Sequence, residues 1–407
     1  MAEPASPHAH PFTFDELYSL LLLLLAFWMA GKLSAKLRLP SLVGEIGLGL
    51  IAGPNALNIA PKPDSLMMFG EVGLLLLFLE AGIDVDLEML KLVGYRGFAL
   101  SLFASFMALF LGIVISHFGL GLDMVESFGV GATLAPTSMG VALNVLRASS
   151  VLNTPSGQLI IAAAMLQVSN SFISRVPHYH EPRITRIITS QHSLATLTRN
   201  THSQDVIGII LLAELKATKD PTALNFLIPV VSAVLFLLLF GYAAVSVIPP
   251  ILSKKILPNF HHHESRQNVV LALILFFAIV LIPACHFSRG SYLLGCFLAG
   301  LCFCTDHHTH EVWTSQIKRL LQWLMRLFFA CTIGFEVPVK NLADPKVVGT
   351  SLVFVVIIFA KLSSGIFAFP LSKREALKIG FSMTSSCELA FIISVNAWIE
   401  GEKSDKL

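Results

Sequence analysis

Runs of about 20 apolar residues, separated by short polar breaks, recur along the whole 407-residue chain. A helix needs about 20 such residues to cross a hydrocarbon layer. The pattern predicts helices near 16–36, 41–58, 65–83, 96–118 and 124–146, then 155–166 and 205–217. Further helices are predicted near 224–249, 268–284, 290–305, 321–337, 347–370 and 376–399. Residues 155–166 and 205–217 are each too short to cross alone, but joined end to end they make one spanning helix. The chain therefore reads as an all-α polytopic membrane protein with about twelve transmembrane helices. Residues 1–15 read as a disordered polar tail, and the first helix as a retained signal anchor.

Loop charges test the count. Lys32, Lys36 and Arg38 follow the first helix, Lys91 and Arg96 the third, and Arg147 the fifth. Lys254, Lys255 and Arg266 follow the seventh, Lys318 and Arg319 the ninth, and Lys373, Arg374 and Lys378 the eleventh. The alternate loops carry fewer basic residues, so this set is assigned to the cytosol and the N-terminus to the other side. The alternation stays in phase only when the two short runs form one crossing.

Composition agrees. Hydrophobic residues make up 55% and charged residues only 13%, far below a soluble domain. Net charge is +2, which supplies no field for nucleic acid. No phosphate loop, H-E-x-x-H or nucleophile elbow is found, so no enzyme activity and no cofactor is expected. Cys302, Cys304, Asp306, His307, His308 and His310 cluster at a helix end, but their spacing fits no zinc signature and no metal site is assigned.

One stretch breaks the pattern. Residues 168–204 are rich in Ser, Thr, His and Arg and show neither helical nor strand periodicity. Such backbone at membrane depth would leave polar groups unsatisfied. Either it is a histidine-bearing loop outside the bilayer, or it is translated intron. The second reading is preferred: Gln-Val-Ser can be encoded as a splice donor and Ser-Gln can end in an acceptor. Its removal joins Gln167 to Asp205 within an unbroken spanning helix.

Ionisable residues within a spanning helix are functional candidates by default. Asp205 (after the join), Lys361, Glu388 and Glu80 qualify, whereas Glu45 and Glu71 lie nearer helix ends and are expected to snorkel. The fifth helix contains Pro136 between Thr133, Thr137 and Ser138. The twelfth has Ser385 and Ser386 before Cys387 and Glu388. Weak spots in corresponding helices of two halves point to a transporter of inverted repeats with a midplane ion site.

These stretches resemble the monovalent cation:proton antiporters of the sodium/proton exchanger superfamily. The resemblance rests on LPSLVGEIGLGLIAGPNAL, FGEVGLLLLFLEAGIDVDLEML, SYLLGCFLAGL, LFFACTIGFEVPVKNL and FSMTSSCELAFIIS, and covers about residues 40–400. It implies inverted repeats with two crossed, interrupted helices in a core domain, and a separate part mediating a homodimer. It implies that Asp205 is the essential acid, preceded by Gln167, and that Lys361 is the core lysine. Thr133, Pro136 and Thr137 match the first broken helix, and Ser385, Ser386 and Glu388 the second. Thirteen helices are usual in this branch, so a C-terminal helix is expected to be missing.

The expected function is exchange of Na⁺ or K⁺ for H⁺ across a lipid bilayer by alternating access. Two alternatives remain at this point: a cation channel or ion-regulated sensor on the same fold, and a non-functional partial gene product.

Overall fold

The computed structural model describes residues 13–37, 41–85, 102–136, 223–251, 263–339, 342, 344–368, 373–384, 390–391 and 393–394. Every regular element among them is helical. The helices are α1 (Phe14–Lys36), α2 (Ser41–Ala52), α3 (Pro63–Ile83), α4 (Leu102–Gly119) and α5 (Met124–Leu134). There follow α6 (Ala223–Tyr242), α7 (His263–Phe287), α8 (Tyr292–Leu301), α9 (His307–Gln316), α10 (Arg326–Glu336), α11 (Pro345–Ala360) and α12 (Lys373–Met383). Among the described residues, five helices are long and apolar enough to cross a membrane alone: Phe14–Lys36, Pro63–Ile83, Leu102–Gly119, Arg266–Phe287 and Pro345–Ile366. The polar stretch 168–204 and the helical runs 155–166 and 205–217 lie outside the described residues, as do residues 1–12 of the tail.

Two compact units are present. The first comprises residues 1–74 and 322–343 and holds α1, α2, the start of α3, and α10. Helix α1 starts two residues earlier than the apolar pattern suggests because Thr13 and Glu16 form a capping box. The Thr13 hydroxyl accepts from the Glu16 amide at 3.3 Å, and the Thr13 amide donates to the Glu16 carboxylate at 2.9 Å. Leu21, Leu22, Leu25, Met29 and Leu33 of α1 are exposed, an apolar face suited to acyl chains.

Helix α2 stops at Ala52, short of the expected 58, because Gly53-Pro54-Asn55 turns the chain. The turn has a partner. Asn55 donates to the Phe335 carbonyl at 2.8 Å and to the Val337 carbonyl at 3.2 Å, covering acceptors that the end of α10 leaves unmatched. Helices α2 and α10 approach closely where glycine faces glycine: a methyl group on Gly334 would lie 2.6 Å from the Gly49 Cα. In lipid, where apolar surface alone does not drive helices together, such backbone proximity supplies the packing.

The second unit comprises residues 75–321 and 344–407. Helix α8 lies at its centre, with Leu293 to Leu301 all buried, as its uniformly apolar sequence dictates. Its first turn is capped by the Ser291 hydroxyl, which accepts from the Leu293 amide at 3.3 Å. The run read as helix 347–370 is α only to Ala360; residues Lys361–Ala368 form a 3₁₀ helix. Eight residues is long for that tighter winding, which usually runs three or four.

Candidate functional site

Helix α5 was expected to continue to about 146, but its regular part closes at Leu134, two residues before Pro136. Proline has no amide proton and its ring crowds the carbonyl one turn back, so it strips the end of the helix of a hydrogen bond. The exposed main-chain acceptor is taken up by a distant side chain. Lys361, fully buried, donates from Nζ to the Pro136 carbonyl at 3.1 Å. A helix C-terminus carries partial negative charge, so an ammonium there is well placed. Lys361 is also the residue at which α11 gives way to the 3₁₀ helix.

Two of the expected site residues thus meet: Lys361 and Pro136. Thr133 lies on the last turn of α5, half-buried, and its hydroxyl donates to the Gly129 carbonyl at 2.8 Å. With its proton committed, the Thr133 oxygen can offer only lone pairs, the property a cation ligand needs. Asp205, Gln167, Thr137, Ser385, Ser386 and Glu388 lie outside the described residues.

The site holds one residue that sequence reasoning missed. Ser364 follows Lys361 by three positions on the 3₁₀ helix, where residues at that spacing eclipse one another. It is fully buried, and its hydroxyl has no partner among the described residues. The signal was present in Lys-Leu-Ser-Ser-Gly, small polar residues directly after an intramembrane lysine.

Two other expectations need correction. Glu45 does not snorkel: its side chain is buried, and Oε1 accepts from Arg326 at 2.9 Å. Gly31 stands beside that carboxylate, where any side chain would collide with it. Lys318, read only as a cytosolic loop charge, is likewise buried. Its Nζ lies 2.7 Å from Asp84 Oδ2 and 3.0 Å from Glu80 Oε1. Glu80 is therefore an ion-pair partner at the end of α3. His310 Nδ1 stands 3.2 Å from Asp84 Oδ1.

Asp306 caps α9, accepting from the Thr309 amide at 3.0 Å and the Thr309 hydroxyl at 2.6 Å. Among the described residues no group of three or more His, Cys, Asp or Glu side chains is placed to hold a metal ion.

Asp84 follows α3 and Lys318 precedes α10, both outside the spanning segments. Burial opposes the Asp84 charge, yet the His310 hydrogen bond and the Lys318 ammonium outweigh it and hold its carboxyl below the usual range. Burial also opposes the Lys318 charge, and Asp84 and Glu80 outweigh it, raising the ammonium above its ordinary value.

Long apolar helices, glycine-mediated packing and a buried ammonium at an interrupted helix define a polytopic membrane protein of transporter build. The model of the transmembrane sodium/hydrogen exchanger family matches residues 20–167 and 185–399, and the chain belongs to that family. It is 25% identical over 387 residues to the probable Na(+)/H(+) antiporter GerT of Bacillus cereus, spanning 93% of this chain and 90% of that one. It is 22% identical over 386 residues to the Na(+)/H(+)-K(+) antiporter GerN of the same species, spanning 94% and 87%. The fold is similar to that of the sodium proton antiporter MjNhaP1 from Methanocaldococcus jannaschii at pH 8. That likeness has a TM-score of 0.61 and 19% identity, and covers 96% of this chain and 88% of that one.

Proposed function

We propose that the protein exchanges Na⁺ or K⁺ for H⁺ by alternating access. The observation that carries this reading is the Lys361 ammonium, buried and bonded to the main chain where α5 is interrupted. An ionisable group at that depth is expensive and marks an ion pathway in a spanning bundle. In this reading Asp205 takes either a proton or a dehydrated cation, and that competition couples the two fluxes. Lys361 balances the carboxylate when it is empty. The Thr133 oxygen and the end of α5 complete the polar surround. GerT and GerN, named as antiporters, support the exchange, and GerN supports K⁺ as a second cation. The working unit is a homodimer in this reading.

The polar stretch belongs to the same proposal. Retained intron is the reading favoured for 168–204; the family match breaks off at residue 167, where the stretch begins, and resumes at 185, within it. The functional chain then joins Gln167 to Asp205.

Proton flux in proteoliposomes tests the exchange. Sodium or potassium added outside should drive protons across membranes holding the chain with Gln167 joined to Asp205, and Asp205→Asn in that chain should reduce the flux at least about 100-fold, the loss expected of an essential group. Exchange retained in Asp205→Asn would overturn the assignment. Flux that follows membrane potential without a proton gradient would indicate a channel.

A further inference from the structure

Ser363 and Ser364 are neighbours on the 3₁₀ helix, and their hydroxyls have opposite fates. Ser363 is exposed, and its hydroxyl donates to the Ala360 carbonyl at 2.7 Å, the local bond a helical serine ordinarily makes. Ser364 is fully buried, and its hydroxyl finds no hydrogen-bond partner among the described residues. A buried hydroxyl without a partner costs stability, and alanine would fill nearly the same space without that cost. Packing alone would therefore favour alanine here.

The turn that carries Ser364 is tightly held. A methyl group on Gly365 would strike the Ala376 carbonyl of α12, and one on Gly380 would lie 2.6 Å from the Leu362 carbonyl. Backbone this close leaves the turn no room to swing Ser364 toward a distant acceptor. With three residues per turn, Ser364 falls in line with Lys361, whose ammonium reaches the Pro136 carbonyl at 3.1 Å. An unused hydroxyl thus lies one turn from the buried ammonium that meets the interrupted end of α5.

A sodium or potassium ion entering such a site gives up water and must find oxygen lone pairs in exchange. The Lys361 ammonium has only donors to offer. Ser364 has lone pairs that no described group engages, and its proton is free to turn away from an ion. We propose that the Ser364 oxygen is a ligand of the transported cation and sets how tightly the site holds it. This assignment rests on the exchange reading and names a further group of the same site. The ion trades one water for one hydroxyl; no covalent bond is made or broken. The hydroxyl is a burden while the site is empty and is satisfied when the cation arrives, so its removal acts in opposite directions on the two states.

The test is thermal unfolding of the purified chain in detergent, with Gln167 joined to Asp205. It is titrated with sodium chloride, and separately with potassium chloride, at an ionic strength held constant by choline chloride. A bound cation raises the midpoint as its concentration rises. In choline chloride alone, Ser364→Ala should unfold about 1–2 °C above wild type, because the unmatched hydroxyl is gone. With Na⁺ or K⁺ it should need about tenfold more of the ion to reach half its stabilisation, the loss of one good ligand. Ser363→Ala, which gives up only a local bond, should titrate like wild type. Should Ser364→Ala fail to fold, Ser364→Gly, which also lacks the hydroxyl, decides in its place. Equal titrations of wild type and the variant without the hydroxyl overturn the ligand and leave exchange standing. A wild type that binds the cation but moves no protons in the flux assay removes the exchange reading alone. A wild type that neither cation stabilises overturns both.

Discussion

Each unit buries an ionic cluster, and the two are balanced differently. In the first unit Glu45 meets Arg326 one to one, acid against a guanidinium that does not release its proton. In the second, Glu80 and Asp84 share Lys318, and His310 stands 3.2 Å from Asp84. The first is a fixed tie between α2 and α10. The second gathers two carboxylates around one ammonium at the end of α3. Both lie far apart in sequence, Glu45 and Arg326 by 281 positions and Asp84 and Lys318 by 234, so they fasten helices that no local preference would bring together.

The sharpest way to break the comparison is to remove the central cation of the unequal cluster. Lys318→Met leaves two buried carboxylates facing each other without an ammonium, and loss of one partner of a buried pair costs about 3–5 kcal/mol. We expect this variant to show the largest loss of thermal stability, measured as the unfolding midpoint in detergent. Adding Asp84→Asn should return part of it, because one uncompensated charge then disappears.

In the equal cluster the same operation should cost less. Arg326→Met strands a single carboxylate, Glu45, and the Arg326 side chain is 26% exposed, so part of its charge was already met by water. We expect a loss of about 2–3 kcal/mol, read from the same midpoint. Glu45→Gln combined with Arg326→Met should recover most of it, since no unpaired charge remains. If the double variant is as unstable as the single, the tie is packing around Gly31 and not charge.

How far these features could be read in the sequence follows from what determines them. The spanning helices were legible because lipid demands apolar length, and α1, α3, α7 and α11 begin within five residues of their predicted starts. Lys361 and Pro136 stood out in the sequence because a lysine and a proline inside such helices are locally anomalous. The turn at Gly53-Pro54-Asn55 was missed because residues 41–58 stay apolar through it, although its reason is a hydrogen bond to α10. The switch to 3₁₀ winding at Lys361 was missed for a similar reason: α and 3₁₀ differ in hydrogen-bond partner and hardly in composition. The ion pairs were illegible outright. Nothing near Glu45 points to Arg326, and a lysine between two helices looks the same whether solvated or buried on Asp84.

The smallest effect is the acid response of the second cluster. Asp84 is held below the usual carboxylate range in the folded protein, so the stability it lends is complete above its unfolded value, about 3.9. That stability drains away as pH falls through the lower folded value. The stability gap between wild type and Asp84→Asn should hold steady down to about pH 4 and narrow below it. Thermal midpoints measured across that range check this. A gap that instead widens as pH falls through neutrality would mean that the folded protein holds Asp84 neutral, and its contact with Lys318 would not be an ion pair.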